Sequence, residues 1–214
     1  MRIVVVVVIA ALFAGGALVV ALRSGAPARE PQSTSSSVGA TPPTSATPAA
    51  PRPTRGGRII DVDVALKELE LIRPVKIKPA GDFSLPMPDG TTFRLANHHG
   101  KMVFVNFWAT WCEPCKEEIP AMERLWLRHK DQGFVMVGVS LDSNPKVVPP
   151  FVAQHKVTFP IALDPKMDVA NTYGVRALPT SFIIDRDGRM TALALGPRPW
   201  DNAAAHALVE GLTR

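Results

Sequence analysis

The apolar run Met102-Val103-Phe104-Val105-Asn106-Phe107 leads within a few residues into Cys112-Glu113-Pro114-Cys115, and a helical pattern over 116–130 comes directly after. A continuous apolar strand of this kind belongs inside a sheet covered on both faces. The chain must therefore lay helices on both sides of it. The same junction holds the chain's two cysteines, in 214 residues. A Cys-x-x-Cys where a strand hands over to a helix is the layout of a dithiol that cycles between reduced and oxidised forms.

The spacing suits that chemistry. On the first turn of a helix, residues three apart share a side, so Cys112 and Cys115 can reach disulfide distance. Cys112 falls at or near the N-cap, where unpaired N–H groups and the positive end of the helix dipole favour a thiolate. It is the expected attacking sulfur, and Cys115, one turn in, the resolving one. Pro114 fits the first turn because its missing N–H would have had no helical partner. Two plainer readings compete. A structural zinc site takes four ligands, but there is no second cysteine pair, and His98, His99, His129, His155 and His206 are scattered. A purely structural bridge closing so short a loop would restrict the unfolded chain little. The reading is a redox pair, with no metal and no cofactor.

Residues 3–22 form about twenty apolar or small positions between Arg2 and Arg23. As a helix they span about 30 Å, the thickness of a bilayer's hydrocarbon core. This favours an uncleaved signal anchor over 1–23 rather than a signal peptide, whose apolar region is shorter. Ala26-Pro27-Ala28 also fits a small-residue cleavage site, which would release a secreted form. Residues 24–58 are rich in Pro, Ser, Thr and Ala and lack the apolar side chains that offset ordering entropy, so they read as a disordered linker. Its mean reach is on the order of 30–35 Å. Basic residues flank the apolar run on both sides, so the positive-inside rule discriminates weakly. A single N-terminal anchor ordinarily translocates the domain behind it, which puts residues 24–214 outside the cytoplasm, in the periplasm or its equivalent, tethered to the cytoplasmic membrane. The net charge of +5 lies largely in the linker and near the termini, with no basic stripe interleaved with aromatics, so no nucleic acid is expected.

The rest reads as one core. An N-terminal extension over 59–78 carries Val62, Leu66, Leu69 and Ile72 at helical spacing, ended by Pro74. Strands around Phe83 and Phe93 flank Asp89-Gly90 as a small hairpin. Beyond the helix at 116–130, strands are expected over 134–140, 159–163, 181–185 and 190–195, with helices over 147–156 and 167–173. Asp187-Gly188 joins the last two strands in a hairpin. A final helix over 201–212 opens with Asp201 as its N-cap. The result is an α/β fold: a mixed sheet flanked by helices over 79–214, with a hairpin at its start.

Three stretches carry a family resemblance: 104–120, with its Trp108-Ala109-Thr110-Trp111-Cys112-Glu113-Pro114-Cys115 core; Ala177-Leu178-Pro179-Thr180-Ser181-Phe182; and Asp185-Arg186-Asp187-Gly188. They resemble the TlpA/ResA-like branch of thioredoxin-fold thiol–disulfide oxidoreductases, and the likeness runs from about Pro79 to the C-terminus. Gly196-Pro197-Arg198-Pro199-Trp200 looks closer to TlpA-type members than to the cytochrome-maturation ones. The resemblance implies a thioredoxin-like fold and a cis Pro179 lying against the dithiol, which leaves the backbone of Leu178 free to pair with substrate. It implies that Glu118, on the Cys115 side of its helix, is a buried acid that exchanges the proton of Cys115. Asn106 stands where thioredoxins proper carry a buried aspartate, which leaves Glu118 as the remaining proton carrier. Trp108 reads as core. Trp111, Glu113, Pro114, Leu178 and Thr180 are the expected substrate contacts.

The implied activity is a monomeric, membrane-tethered protein-disulfide reductase, re-reduced by a membrane thiol-transfer protein and acting in cytochrome c or copper-oxidase maturation. Two alternatives stand beside it. A thiol peroxidase of the redoxin group would place its reactive cysteine in a Pro/Thr-containing loop, which Cys112 lacks. A copper chaperone or redox-inert adaptor would use Cys-x-x-x-Cys and a distant His, one residue longer than the spacing here.

Overall fold

The computed structural model describes residues 60–214. The anchor and linker expected over 1–58 lie outside them. Among the described residues no helix is long and apolar enough to cross a membrane.

Among the described residues eight strands and five α-helices occur in the order α1 (Val62–Glu68), β1 (Lys78–Pro79), β2 (Ser84–Pro86), β3 (Thr92–Arg94), β4 (Met102–Trp108), α2 (Glu113–His129), β5 (Phe134–Ser140), α3 (Val148–Gln154), β6 (Ile161–Leu163), α4 (Asp168–Thr172), β7 (Thr180–Ile184), β8 (Arg189–Leu195) and α5 (Ala203–Leu212). Six strands form one sheet in the order β1-β8-β7-β4-β5-β6, and β2 pairs with β3 in a separate hairpin. β4 runs parallel to β5 and antiparallel to β7, so the sheet is mixed, with β4 at its centre. This is the thioredoxin-like architecture expected.

All seven residues of β4 are buried, and their two faces go to different cores. Met102, Phe104 and Trp108 pack with Ile119, Met122 and Leu125 of α2 and with Leu208 and Val209 of α5. Val103, Val105 and Phe107 pack under the β2–β3 hairpin and Ala170 of α4. The period of two places Asn106 on the α2 face, between Phe104 and Trp108. Gly138 in β5 makes room there: a Cβ on it would stand 2.9 Å from Trp108 Nε1 and 2.9 Å from Ile161 Cδ1. Ala65 and Leu66 of α1 and its C-cap residue Leu69 join the α2-side core. The boundary expected between 78 and 79 runs through β1, whose two residues pair with β8 in the main sheet.

Element ends depart from the sequence pattern where side chains take over. α2 begins at Glu113, ahead of the helical pattern at 116, with Cys112 as the N-cap as expected: its sulfur accepts from the Cys115 N–H. It also tolerates Pro120, exposed on its outer side, where the ring removes one backbone hydrogen bond. β6 starts at Ile161, after Pro160, which has no N–H to give. α5 is capped by Asn202, not Asp201: the Asn202 side chain accepts from Ala205 N at 2.8 Å. Asp201 is engaged elsewhere, with Arg124 of α2 and His206.

Candidate active site

Cys112 and Cys115 are bonded to each other at the N-terminus of α2, with Cα atoms 5.3 Å apart. Cys115 is fully buried and Cys112 is 5 % exposed. The Cys115 N–H points at the Cys112 sulfur across 3.3 Å, so the first helical turn offers a donor to the sulfur that must carry negative charge when reduced. The approach to this turn is clamped. Thr110 donates to the buried carboxylate of Asp142 through both its N–H (3.0 Å) and its hydroxyl (2.6 Å), and Ser140 donates to the same carboxylate at 2.8 Å. The end of β5 thereby holds the loop that delivers Trp111 and Cys112. Nothing in the sequence pattern marked Asp142 for this role.

Cys112 opens onto a cleft of about 560 Å³ lined by Trp111, Glu113, Pro114, Leu141, Met167, Val175, Arg176, Ala177 and Leu178. Trp111 stands 69 % exposed at its rim, whereas Trp108 is buried in the core. Glu113 reaches Lys116 at 2.8 Å on the exposed side of the helix. Four of the five residues expected to meet substrate line this cleft. Thr180 does not: it is buried, and its hydroxyl donates to Ala177 O at 2.8 Å. Its part is to hold the loop before β7, because a strand-opening threonine satisfies its hydroxyl locally. Leu141, Met167, Val175, Arg176 and Ala177 come from three loops that the fold gathers, so no local spacing announced them. The Leu178–Pro179 bond is cis. The Pro179 carbonyl accepts from Gly196 N at 2.9 Å.

Glu118 lies one turn beyond Cys115 on α2 and is 4 % exposed. Its Oε1 accepts from Asn106 Nδ2 at 2.9 Å. Its Oε2 accepts from Trp200 Nε1 at 2.9 Å and from Arg198 N at 3.3 Å. Asn106 also donates to Ser181 Oγ at 3.0 Å, across the β4–β7 register that sets the two side by side. Burial pushes the Glu118 carboxyl up to about 7, against the pull of the Trp200, Asn106 and Arg198 donors, which favour the charged form. An acid balanced near neutrality can take or give a proton at little cost. Sequence reasoning linked Asn106 to Glu118 by role, without the hydrogen bond between them. It missed Ser181 and the bond to Trp200, which depend on register and on a loop arriving from across the fold.

Comparison with known proteins agrees with this geometry. Residues 77–193 match the AhpC/TSA family. The chain is 39 % identical over 119 residues to the thiol-disulfide oxidoreductase ResA of Bacillus thuringiensis (strain Al Hakam), a match covering 56 % of this chain and 69 % of that protein. Among solved structures it resembles the thiol:disulfide interchange protein DsbE from Chlorobium tepidum, with a TM-score of 0.61 and 36 % identity over 65 % of this chain and 98 % of that one. StoA from Bacillus subtilis gives a TM-score of 0.50 and 32 % identity over 56 % of this chain and 90 % of that one. The buried dithiol, its cleft and these matches together place the chain in the AhpC/TSA family, among its ResA-like thiol–disulfide oxidoreductases.

Proposed function

We propose that this oxidoreductase works as a reductase of protein disulfides, tethered by its N-terminal apolar segment and facing the extracytoplasmic side of the membrane. The observation that carries the reaction is the Cys112–Cys115 pair at the mouth of an apolar cleft, with the near-neutral acid Glu118 on the same helix. In the reduced enzyme the Cys112 thiolate attacks one sulfur of a substrate disulfide. A Cys112–substrate disulfide forms, and the substrate's other sulfur leaves as a thiolate and takes a proton. Cys115 then gives its proton to the Glu118 carboxylate and attacks the Cys112 sulfur. The second substrate thiolate is released, and the Cys112–Cys115 disulfide remains. Two electrons pass to the substrate.

The next cycle needs a reductant. In an oxidising compartment a thiol-transfer protein of the membrane is the fitting donor. The cleft's volume, about 560 Å³, and its apolar lining suit a segment of polypeptide, and apocytochrome c haem-site cysteines or a copper-site assembly protein supply disulfides of that kind. The test is reduction of insulin disulfides by the reduced chain. Cys112→Ser abolishes turnover. Cys115→Ser accumulates mixed disulfides with substrate, which mass spectrometry identifies in cells. Full multiple-turnover activity of Cys115→Ser, or peroxide consumption outpacing disulfide reduction, contradicts the mechanism. Protease accessibility of the domain in intact spheroplasts checks the location.

A further inference from the structure

The segment Gly196-Pro197-Arg198-Pro199-Trp200 links the cis-proline loop to Glu118 of α2. It begins at the Pro179 carbonyl, which accepts the Gly196 N–H at 2.9 Å, and ends on Glu118, which accepts from Arg198 N and Trp200 Nε1. Gly196 takes a φ of +82°, a left-handed turn that suits glycine, and Pro197 and Pro199 stiffen the backbone on either side of Arg198. Arg198 pins the segment from behind, its guanidinium donating to Leu69 O at 2.8 Å and Glu70 O at 3.4 Å. Trp200 is 1 % exposed and meets Phe104 edge-on, ring centroids 4.7 Å apart. Its position is therefore fixed from three directions.

The three donors to Glu118 differ in kind. The Asn106 amide carries an acceptor as well as a donor end, and it shares its NH₂ with Ser181. The Arg198 N–H is the longest contact, at 3.3 Å. The Trp200 indole is donor only and cannot reverse its role when Glu118 changes protonation state. It favours the carboxylate over the carboxylic acid, opposing the burial that favours the acid. Among the described residues the other side chains bonded to the carboxyl are neutral, and Arg198 supplies the charge acting on it.

We propose that Trp200 is a positioning residue for the exchange reaction: its indole N–H holds the Glu118 carboxyl on the Cys115 face of α2 and sets the pH range over which Glu118 takes the Cys115 proton. This rests on Glu118 being the proton carrier, so the experiment separates the two. The full-length chain is prepared with 3-benzothienylalanine at position 200, which keeps the ring shape and replaces N–H by sulfur, alongside Trp200→Phe and Glu118→Gln. The pH profile of disulfide reduction is measured for each, and the protonated-carboxyl infrared band is titrated. The expected result is that Glu118→Gln removes one limb of the profile and the carboxyl band. The benzothienyl replacement moves that limb and the band's midpoint up by about one pH unit, about tenfold less carboxylate at a given pH below the midpoint. A limb that survives Glu118→Gln overturns the proton-carrier reading. A limb lost in Glu118→Gln but unmoved by the benzothienyl ring, with Trp200→Phe lowering only the melting temperature, leaves Trp200 a packing residue and overturns this inference.

Discussion

Asn106 and Glu118, twelve positions apart on β4 and α2, share a buried hydrogen bond of 2.9 Å in which the amide donates to the carboxyl. The amide at this position lets one acid in the core exist alone. Asn106→Asp would set a second carboxyl at hydrogen-bond distance, and two acids so close hold one proton between them. The variant is expected to move the upper pH limb of exchange upward by about one unit or more. It should also lose about 2 kcal/mol of stability at alkaline pH and much less in mild acid, where the shared proton replaces the lost donor. Urea unfolding on both sides of neutrality checks this; an equal loss at both would contradict it.

Glu118 itself makes stability depend on pH. Its folded value, about 7, lies above its ordinary value of 4.5. Between these the folded chain holds the proton and the unfolded chain has released it. Stability from this group therefore falls as pH rises through the window and levels off above it, a loss on the order of 3 kcal/mol. Glu118→Gln removes the slope, though it leaves one donor facing an NH₂ group, a cost that does not vary with pH. His129 acts in the opposite sense: burial holds its ring below the ordinary value of 6.5, so stability drops as pH falls through the unfolded value. The difference in unfolding free energy between wild type and Glu118→Gln, followed across this range, isolates the carboxyl; a constant difference would sink the assignment.

The sequence carries the frame of this site and leaves out its joints. The Cys-x-x-Cys, the apolar β4 and the helix behind it are local signals, set by periods of two and 3.6 residues and by capping chemistry. They put Cys112, Cys115 and Glu118 along the first turns of one helix behind β4, as the structure has them. The clamp of Asp142 on Thr110, the pairing of Asn106 with Ser181 and the arrival of Trp200 depend on strand register and on loops meeting in space. None leaves a periodic trace. Asp201 shows the same limit in reverse: its position suits an N-cap, yet a neighbouring helix supplies Arg124 and the cap moves to Asn202.

The Asp142 clamp should matter to rate more than to binding. Asp142→Ala leaves the Thr110 N–H and hydroxyl and the Ser140 hydroxyl without their acceptor in a largely buried setting. The cost is about 1–3 kcal/mol of stability, read as a lower melting temperature. The loosened loop no longer holds Cys112 in line for attack, so the maximal rate is expected to fall about tenfold or more while KM changes little. A matching loss in KM alone would mean that the clamp shapes the cleft rather than the nucleophile.

Trp111 offers the converse case. It is 69 % exposed at the rim of the cleft, and its side chain takes no part in the core clusters. Trp111→Ala is therefore expected to leave the melting temperature within about a degree of wild type, as surface substitutions do. What the ring offers is apolar area to a polypeptide lying in the cleft beside Leu141, Met167 and Leu178. Covering part of an aromatic face is worth about 1.4 kcal/mol, so kcat/KM for a protein disulfide should drop about tenfold. A small disulfide that reaches Cys112 without filling the cleft loses none of this contact, and its rate should stay within about twofold. Equal losses for both substrates would place Trp111 in control of the Cys112 sulfur itself and remove the cleft from substrate recognition.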